Sequence, residues 1–171
     1  HARHLDEPAA GIARLREFIA EHPDQSSAIK DLAVLLQEQG QGDEAIAVLE
    51  RATARNDPSG DLLYLLGTTR YQRKEVDEAL VAFARLIDVG GEHTHRAHLM
   101  RGQILAQRKE WTQGLAEFER ALETELPDLR ALVYTMRSKV YTARRDLPAA
   151  AADLREVIAL EPSRRSAYED L

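Results

Sequence analysis

The chain has 171 residues, of which 44% are hydrophobic and only 5% are aromatic, a composition typical of a folded helical protein rich in alanine and leucine. Its 23 basic and 29 acidic residues give a formal net charge of −6, which argues against a general phosphate-binding surface of clustered lysine and arginine. Because it contains no cysteine, disulfides, thiol catalysis and cysteine–zinc sites are excluded.

The first predicted helix begins near Asp6, since aspartate, glutamate and proline in succession suit the cap and first turn of a helix. The apolar positions that follow match the second half of a helical hairpin, so a half repeat is predicted over 6–23. Residues 1–5, which contain two histidines, are interpreted as a cloning remnant.

The clearest helical hairpin is predicted over 61–89. Leu66 and Gly67 share one face of its first helix, and Ala79 and Phe83 share one face of its second helix. A small residue on each helix lets the two backbones approach closely. The stretch is therefore predicted to be a pair of antiparallel helices.

This pattern recurs along the chain at spacings of 34, 35 and 36 residues. Four positions recur in phase: a small residue of the first helix at Ala33, Gly67, Gly102 and Ser138, a small residue of the second at Ala45, Ala79, Gly114 and Ala150, a bulky residue at Leu49, Phe83, Phe118 and Leu154, and an apolar residue three places later at Ala52, Leu86, Ala121 and Val157. Four copies in phase indicate an internal repeat of one hairpin. The predicted repeats lie at about 26–57, 60–91, 95–126 and 131–162, with the start of a further one at 163–171. We therefore interpret 6–171 as a single repeat domain, open at both ends and excised from a longer protein.

Turn residues mark the ends of these predicted helices. Gly40–Gly42 forms the turn of the first full repeat, and Asp43 is expected to be the N-cap of its second helix. Gly90–Gly91 is expected to end the second hairpin. Pro148 is placed in the first turn of the last helix, and Pro162 is placed after its end.

With these residues in place, the chain resembles the tetratricopeptide repeat family, whose hairpins of about 34 residues carry leucine-glycine, alanine and phenylalanine at fixed intervals. Leu66, Gly67, Ala79 and Phe83 reproduce that pattern closely. The resemblance implies an all-α fold, a right-handed superhelical solenoid of antiparallel helix hairpins. Spacings of 35 and 36 would also admit pentatricopeptide repeats, which read RNA, but the acidic balance and the small-residue pairs make that the weaker match.

The resemblance also implies that the first helices line a concave groove, in which family members hold another protein as an extended peptide or a helix. The residues expected to line the groove are Lys30, Val34, Gln37, Tyr64, Thr68, Tyr71, Arg96, Leu99, Gln103, Thr135, Lys139 and Thr142. Val34 and Leu65 stand where relatives that clamp a terminal carboxylate have asparagine, so that activity is not supported. The expected partner is a protein or peptide and not a nucleic acid, and self-association through the open repeat ends is a further expectation.

Two groups of ring-bearing residues each allow two interpretations. Tyr64 and Tyr71 lie about two turns apart on one helix, where they would either grip a peptide or fill space between repeats. His93, His95 and His98 have the spacing of a metal cluster, but we favour a turn with solvated histidines, and a hydrogen-bonded core histidine is an alternative for His98. Neither a metal nor a cofactor is expected.

Arg101 and Arg137 stand where the family usually has leucine. They would form either a ladder that contacts anions or, as we favour, pairs with acidic residues between repeats, with their stems covering apolar surface. Trp111 is expected to be a packing residue at the start of its helix.

No motif of a nucleophile elbow, a P-loop or a zinc protease occurs, so the chain is not predicted to be an enzyme. The leading interpretation is a scaffold that binds a partner polypeptide in its groove. The alternative is a structural spacer of a bacterial envelope or secretion assembly without a groove ligand, and RNA binding by a helical repeat comes third. No apolar run is long enough for direct membrane insertion, and the composition fits cytoplasm and periplasm equally.

Overall fold

The structure, a computed structural model, describes residues 6–54 and 58–161. The predicted further repeat at 163–171, Pro162 and residues 1–5 lie outside the described part. Within it, all regular structure is helical. The helices are α1 (Asp6–Glu21), α2 (Ser26–Glu38), α3 (Gly42–Thr53), α4 (Gly60–Gln72), α5 (Val76–Val89), α6 (Thr94–Gln107), α7 (Trp111–Ala121), α8 (Pro127–Ala143) and α9 (Leu147–Leu160). They belong to two compact units, residues 1–93 and residues 94–171.

The first unit contains two antiparallel hairpins, α2–α3 and α4–α5, preceded by α1, which packs against α2. Its core takes apolar side chains from all five helices, for example Ile12, Leu36, Leu49, Leu62 and Ala82. In addition, α3 packs on α4, and the two first helices α2 and α4 contact each other. Successive first helices are therefore neighbours in this unit.

The second unit repeats this arrangement with the hairpins α6–α7 and α8–α9. Leu99, Phe118, Val133 and Val140 form its core cluster, and Val157 of α9 is also buried. The two first helices α6 and α8 contact each other here as well. The prediction of an all-α fold built from successive hairpins is confirmed. None of the described helices is both long and apolar enough to cross a membrane.

The predicted small residues lie where the two helices of a hairpin approach each other. A Cβ added to Gly67 would lie 2.6 Å from the Phe83 ring, and one added to Gly102 would lie 2.8 Å from the Phe118 ring. The Gly102 position is also 3.1 Å from the carbonyl oxygen of Gly114. These distances explain why glycine stands opposite phenylalanine in both hairpins.

Each of the four hairpins in the described part of the chain turns through one residue with a positive φ at the same repeat position. The residue is glycine in the first turn, Gly40 at φ 74°, but Lys74, Lys109 and Arg145 have φ values of 65°, 62° and 62°. In each turn, two backbone N–H groups after the helix donate back to carbonyls of its last turn, as in a Schellman motif. The turn geometry is therefore shared even where the residue is not glycine.

The start of one helix differs from the sequence-based prediction. Asp43 is not the N-cap of α3, because the helix already begins at Gly42. The N-cap is Gln41, whose backbone carbonyl accepts the Ala45 N–H at 3.0 Å. The same helix ends at Thr53, before Pro58. By contrast, Gly90–Gly91 ends α5 as predicted, with φ values of 77° and 98°.

We expect Lys109→Gly to raise the free energy of unfolding by about 0.5–1 kcal/mol, because glycine adopts a positive φ without the strain of a side chain. Gly40→Ala should change stability in the opposite direction by a similar amount. Urea denaturation followed by circular dichroism measures both changes. A Lys109→Gly variant less stable than the parent would contradict the assigned turn.

Candidate functional site

The second unit has an apolar cleft of about 350 Å³ between its first helices α6 and α8. Phe118 of α7 is buried beneath it, and Trp111 from the start of α7 is half-buried at one side. Met136 and Val140 of α8 add further apolar surface. Gln103 and Lys139 bring polar ends to its rim.

Helical periodicity explains how these side chains reach one cleft. The lining residues of α6 lie at 103, 106 and 107, and those of α8 lie at 136, 139 and 140. Both sets follow the i, i+3, i+4 spacing of a single helix face. The structure thus brings together two of the predicted groove residues, Gln103 and Lys139, and adds Met136 and Gln107, which the sequence analysis missed. Their positions one turn from the two predicted residues were the available signal.

Leu99 is a correction to the predicted groove. Its side chain is only 5% exposed and packs in the core cluster with Phe118 and Val133. Arg96, one turn earlier, is exposed. The helix face that contains Leu99 is rotated into the hairpin, so Leu99 offers no surface to a partner.

In the first unit, the predicted groove residues of α2 make contacts with α4. Lys30 Nζ lies 3.0 Å from Asp61 Oδ2, and the Gln37 amide donates a hydrogen bond to the Thr69 hydroxyl. Val34 between them is exposed. A ligand on this face would therefore meet polar side chains that already join neighbouring first helices.

The two predicted tyrosines of α4 are half-buried. The Tyr64 ring stacks on His93 with a centroid distance of 5.0 Å and tilts against Phe83 at 6.2 Å. His93 in turn places Nε2 3.0 Å from Asp61 Oδ1. For Tyr64, the packing interpretation is therefore the one that these contacts support.

The three predicted groove threonines, Thr68, Thr135 and Thr142, use their hydroxyl protons inside their own helices. Each donates to the carbonyl four residues earlier, at 3.0, 2.8 and 2.9 Å respectively. A hydroxyl with its proton engaged keeps lone pairs and can only accept. Each of these three hydroxyls would therefore receive a hydrogen bond from an N–H group of a ligand.

The structure corrects the prediction of a turn with solvated histidines, and it places His98 as the hydrogen-bonded core histidine that was its alternative. His98 is buried and its Nδ1 lies 2.6 Å from Glu117 Oε2, while His93 is half-buried between Tyr64 and Asp61. His95 Nδ1 lies 3.3 Å from a backbone carbonyl. The described residues contain no group of three or more acidic, histidine or cysteine side chains that could hold a metal ion.

The two arginines pair with carboxylates, but within a hairpin and not between repeats. Arg101 Nη2 lies 3.0 Å from Glu117 Oε1, and Arg137 lies 2.7 and 2.9 Å from the two oxygens of Asp153. The partners are 16 residues apart because the short turn brings the two helices of one hairpin together. The hydrogen bond to Asp153 raises the pKa of Arg137 further, so its guanidinium stays charged.

Removing the Lys30 ammonium should raise the pKa of Asp61. The hydrogen bond from Lys30 is the main cause that holds the pKa of this carboxyl below its ordinary value. The pair therefore contributes stability above the ordinary pKa of aspartate and loses it as pH falls through the lowered value. In Lys30→Met, an NMR titration of the carboxyl should report a higher pKa, whereas Lys139→Met should leave it unchanged. Equal values in the parent and Lys30→Met would contradict the pair.

Comparisons with known proteins agree with this architecture. The crystal structure of MamA superposes with a TM-score of 0.78 at 15% identity, over 96% of this chain and 94% of that chain. YrrB is described as a TPR protein with an unusual peptide-binding site. It superposes with a TM-score of 0.71 at 19% identity, over 94% of this chain and 81% of that chain. BtubC from P. vanneervenii superposes with a TM-score of 0.75 at 18% identity, over 94% of this chain and 73% of that chain. At these identities the likeness shows the fold alone.

At the level of sequence, no curated protein matches the chain. The family model for the tetratricopeptide repeat matches three overlapping stretches, residues 2–59, 30–90 and 64–129. Together these stretches cover well over half of the 171 residues. The chain therefore belongs to the tetratricopeptide repeat family.

Proposed function

We propose that the chain is a scaffold that binds a segment of a partner polypeptide against its first helices. Tetratricopeptide repeat proteins generally mediate protein–protein interactions and are typically not enzymes. YrrB, which shares the fold, is described as having a peptide-binding site. Both points support a polypeptide as the ligand class.

The observation that carries the proposal is the cleft between α6 and α8. Its partly exposed apolar surface at Trp111 and Met136 suits an apolar side chain of the partner, since apolar side chains seated in such pockets contribute most of the affinity in protein interfaces. At the rim, the Gln103 amide can both donate to and accept from the backbone of the same segment. Lys139 adds a positive charge there.

A photocrosslinking amino acid in place of Gln103, in the full-length protein inside cells, tests this proposal. We expect one discrete polypeptide to be attached, because position 103 lines the cleft. The matched control is the same substitution at Ala116, an exposed residue of the second helix α7. It should give little of that adduct.

Each alternative function predicts a different result. A structural spacer would give no partner at position 103, with partners captured from control positions instead. An adduct that ribonuclease removes would indicate RNA. Either result would contradict a polypeptide-binding cleft.

A further inference from the structure

The second helices of the first unit border two clefts at equivalent repeat positions. The α1–α3 cleft has a volume of about 520 Å³, and the α3–α5 cleft has about 280 Å³. Their lining residues correspond at a spacing of 34, as in the pairs Ile19/Thr53, Val48/Ala82 and Arg51/Arg85. The chain thus offers two versions of one surface, which differ in side chains.

Two arginines of the chain itself line the smaller α3–α5 cleft, and both are engaged by acceptors of the chain. Arg85 donates a hydrogen bond across it to the carbonyl oxygen of Thr53. Arg70, whose side chain is only 15% exposed, forms an ion pair with Glu50 on the same wall. Both guanidinium groups in the lining of this cleft are therefore already paired with an acceptor of the chain.

Among the described residues, the α1–α3 cleft has neither of these two pairs. Leu36 stands at the position of Arg70, and Arg51, the counterpart of Arg85, is exposed and joined by no ion pair or hydrogen bond to another described residue. The backbone carbonyl of Ile19 lies at the repeat position of the Thr53 carbonyl. In a helix its donor would be the N–H of the residue four places later, but that residue is Pro23, which has no N–H to donate. This version of the surface therefore has the larger volume, an apolar floor and an arginine that no described residue engages.

We propose that the α1–α3 cleft binds a partner polypeptide that places an apolar side chain on its floor and an adjacent carboxylate against Arg51. Ile19, Leu32 and Val48 supply the apolar lining. Arg16 and Glu44 on the rim form an ion pair with each other, so Arg51 leaves a net positive charge at the cleft. A backbone N–H of the partner can donate to the Ile19 carbonyl.

This surface is formed by other helices than the α6–α8 cleft, so the inference stands or falls independently of the proposed function. In the proposed complex the partner supplies the apolar side chain and the carboxylate, and the chain supplies the apolar floor and Arg51. In the α3–α5 cleft the chain itself supplies the acceptors of its arginines, Glu50 and the Thr53 carbonyl. That cleft therefore serves as a control within the same molecule.

The test is an NMR titration of the full, ¹⁵N-labelled chain with two short probes, N-acetyl-leucyl-glutamyl amide and its glutaminyl analogue. We expect saturable shifts at the amides of α1 and α3 that line the cleft. The glutamyl probe should bind about fivefold more tightly, as for a partly exposed charge pair. Arg51→Gln should remove that preference, whereas Arg85→Gln, the equivalent change in the α3–α5 cleft, should retain it.

A variant that fills the cleft completes the design. Ala47 is exposed on the cleft wall, so Ala47→Trp should abolish binding of both probes without disturbing the core, as circular dichroism can verify. Equal affinities of the two probes, shifts confined to other helices, or no saturable shift in the parent chain would each overturn the inference.

Discussion

Asp153→Ala is expected to lower the free energy of unfolding by about 3 kcal/mol, because it leaves the Arg137 guanidinium without its carboxylate. The side chains of Asp153 and Arg137 are only 5% and 16% exposed, and two short hydrogen bonds join them. The expected loss lies at the lower end for a buried pair. This is because Arg137 keeps contacts with the rings of Tyr134 and Tyr141 at 5.5 and 5.7 Å.

The first unit shows what can replace such a pair. At the positions equivalent to Arg137 and Asp153, the second repeat has Leu66 and Ala82, which are buried in an apolar core. We therefore expect the double variant Arg137→Leu with Asp153→Ala to recover most of the stability that the single change loses, since an apolar pair needs no desolvated charge.

Urea denaturation of the single and double variants measures this difference. Glu156→Ala, an exposed change on the same helix α9, is the matched control and should alter the free energy of unfolding by less than about 0.5 kcal/mol. A double variant as unstable as Asp153→Ala would mean that the ion pair is needed for the shape of this hairpin.

The hairpins were predictable from sequence because their determinants are local. Apolar residues at helical spacing give each buried face, and small residues such as Gly67 and Gly102 mark where two backbones meet. Four copies in phase then predict the order of the helices. The positive φ of Lys109 was not foreseen, although its alignment with Gly40 carries the signal.

Details of the surface depended on contacts that periodicity does not contain. Leu99 lies at the border between two helix faces, and only the packing of the neighbouring helix decides that it is buried. The pairing of His98 and Arg101 with Glu117 needs the register of the two helices across the turn. The repeat itself carries a signal for this register, because Leu66 and Ala82 of the preceding hairpin lie at the positions of Arg101 and Glu117.

Gly67→Ala is expected to lower the free energy of unfolding by about 2 kcal/mol through overpacking. The added Cβ would lie 2.6 Å from the Phe83 ring, which is fully buried and therefore has no free space to move into. The two helices of the hairpin would have to separate, or the ring would have to leave its preferred rotamer. Either response removes contacts in the core of the first unit.

The chain itself contains the compensated version of this pair. Where the first helix has Ala33 in place of glycine, the second has Leu49 in place of phenylalanine, and both are fully buried. Gly67→Ala with Phe83→Leu should therefore be more stable than the sum of the single changes predicts, by about 1–2 kcal/mol in a double-mutant cycle of urea denaturation. Additive single changes would show that the contact between these two positions does not set the distance between the helices. A coupling energy of the expected size would show that the repeat accepts either pair as a unit, because the glycine and the aromatic ring fill one shared volume.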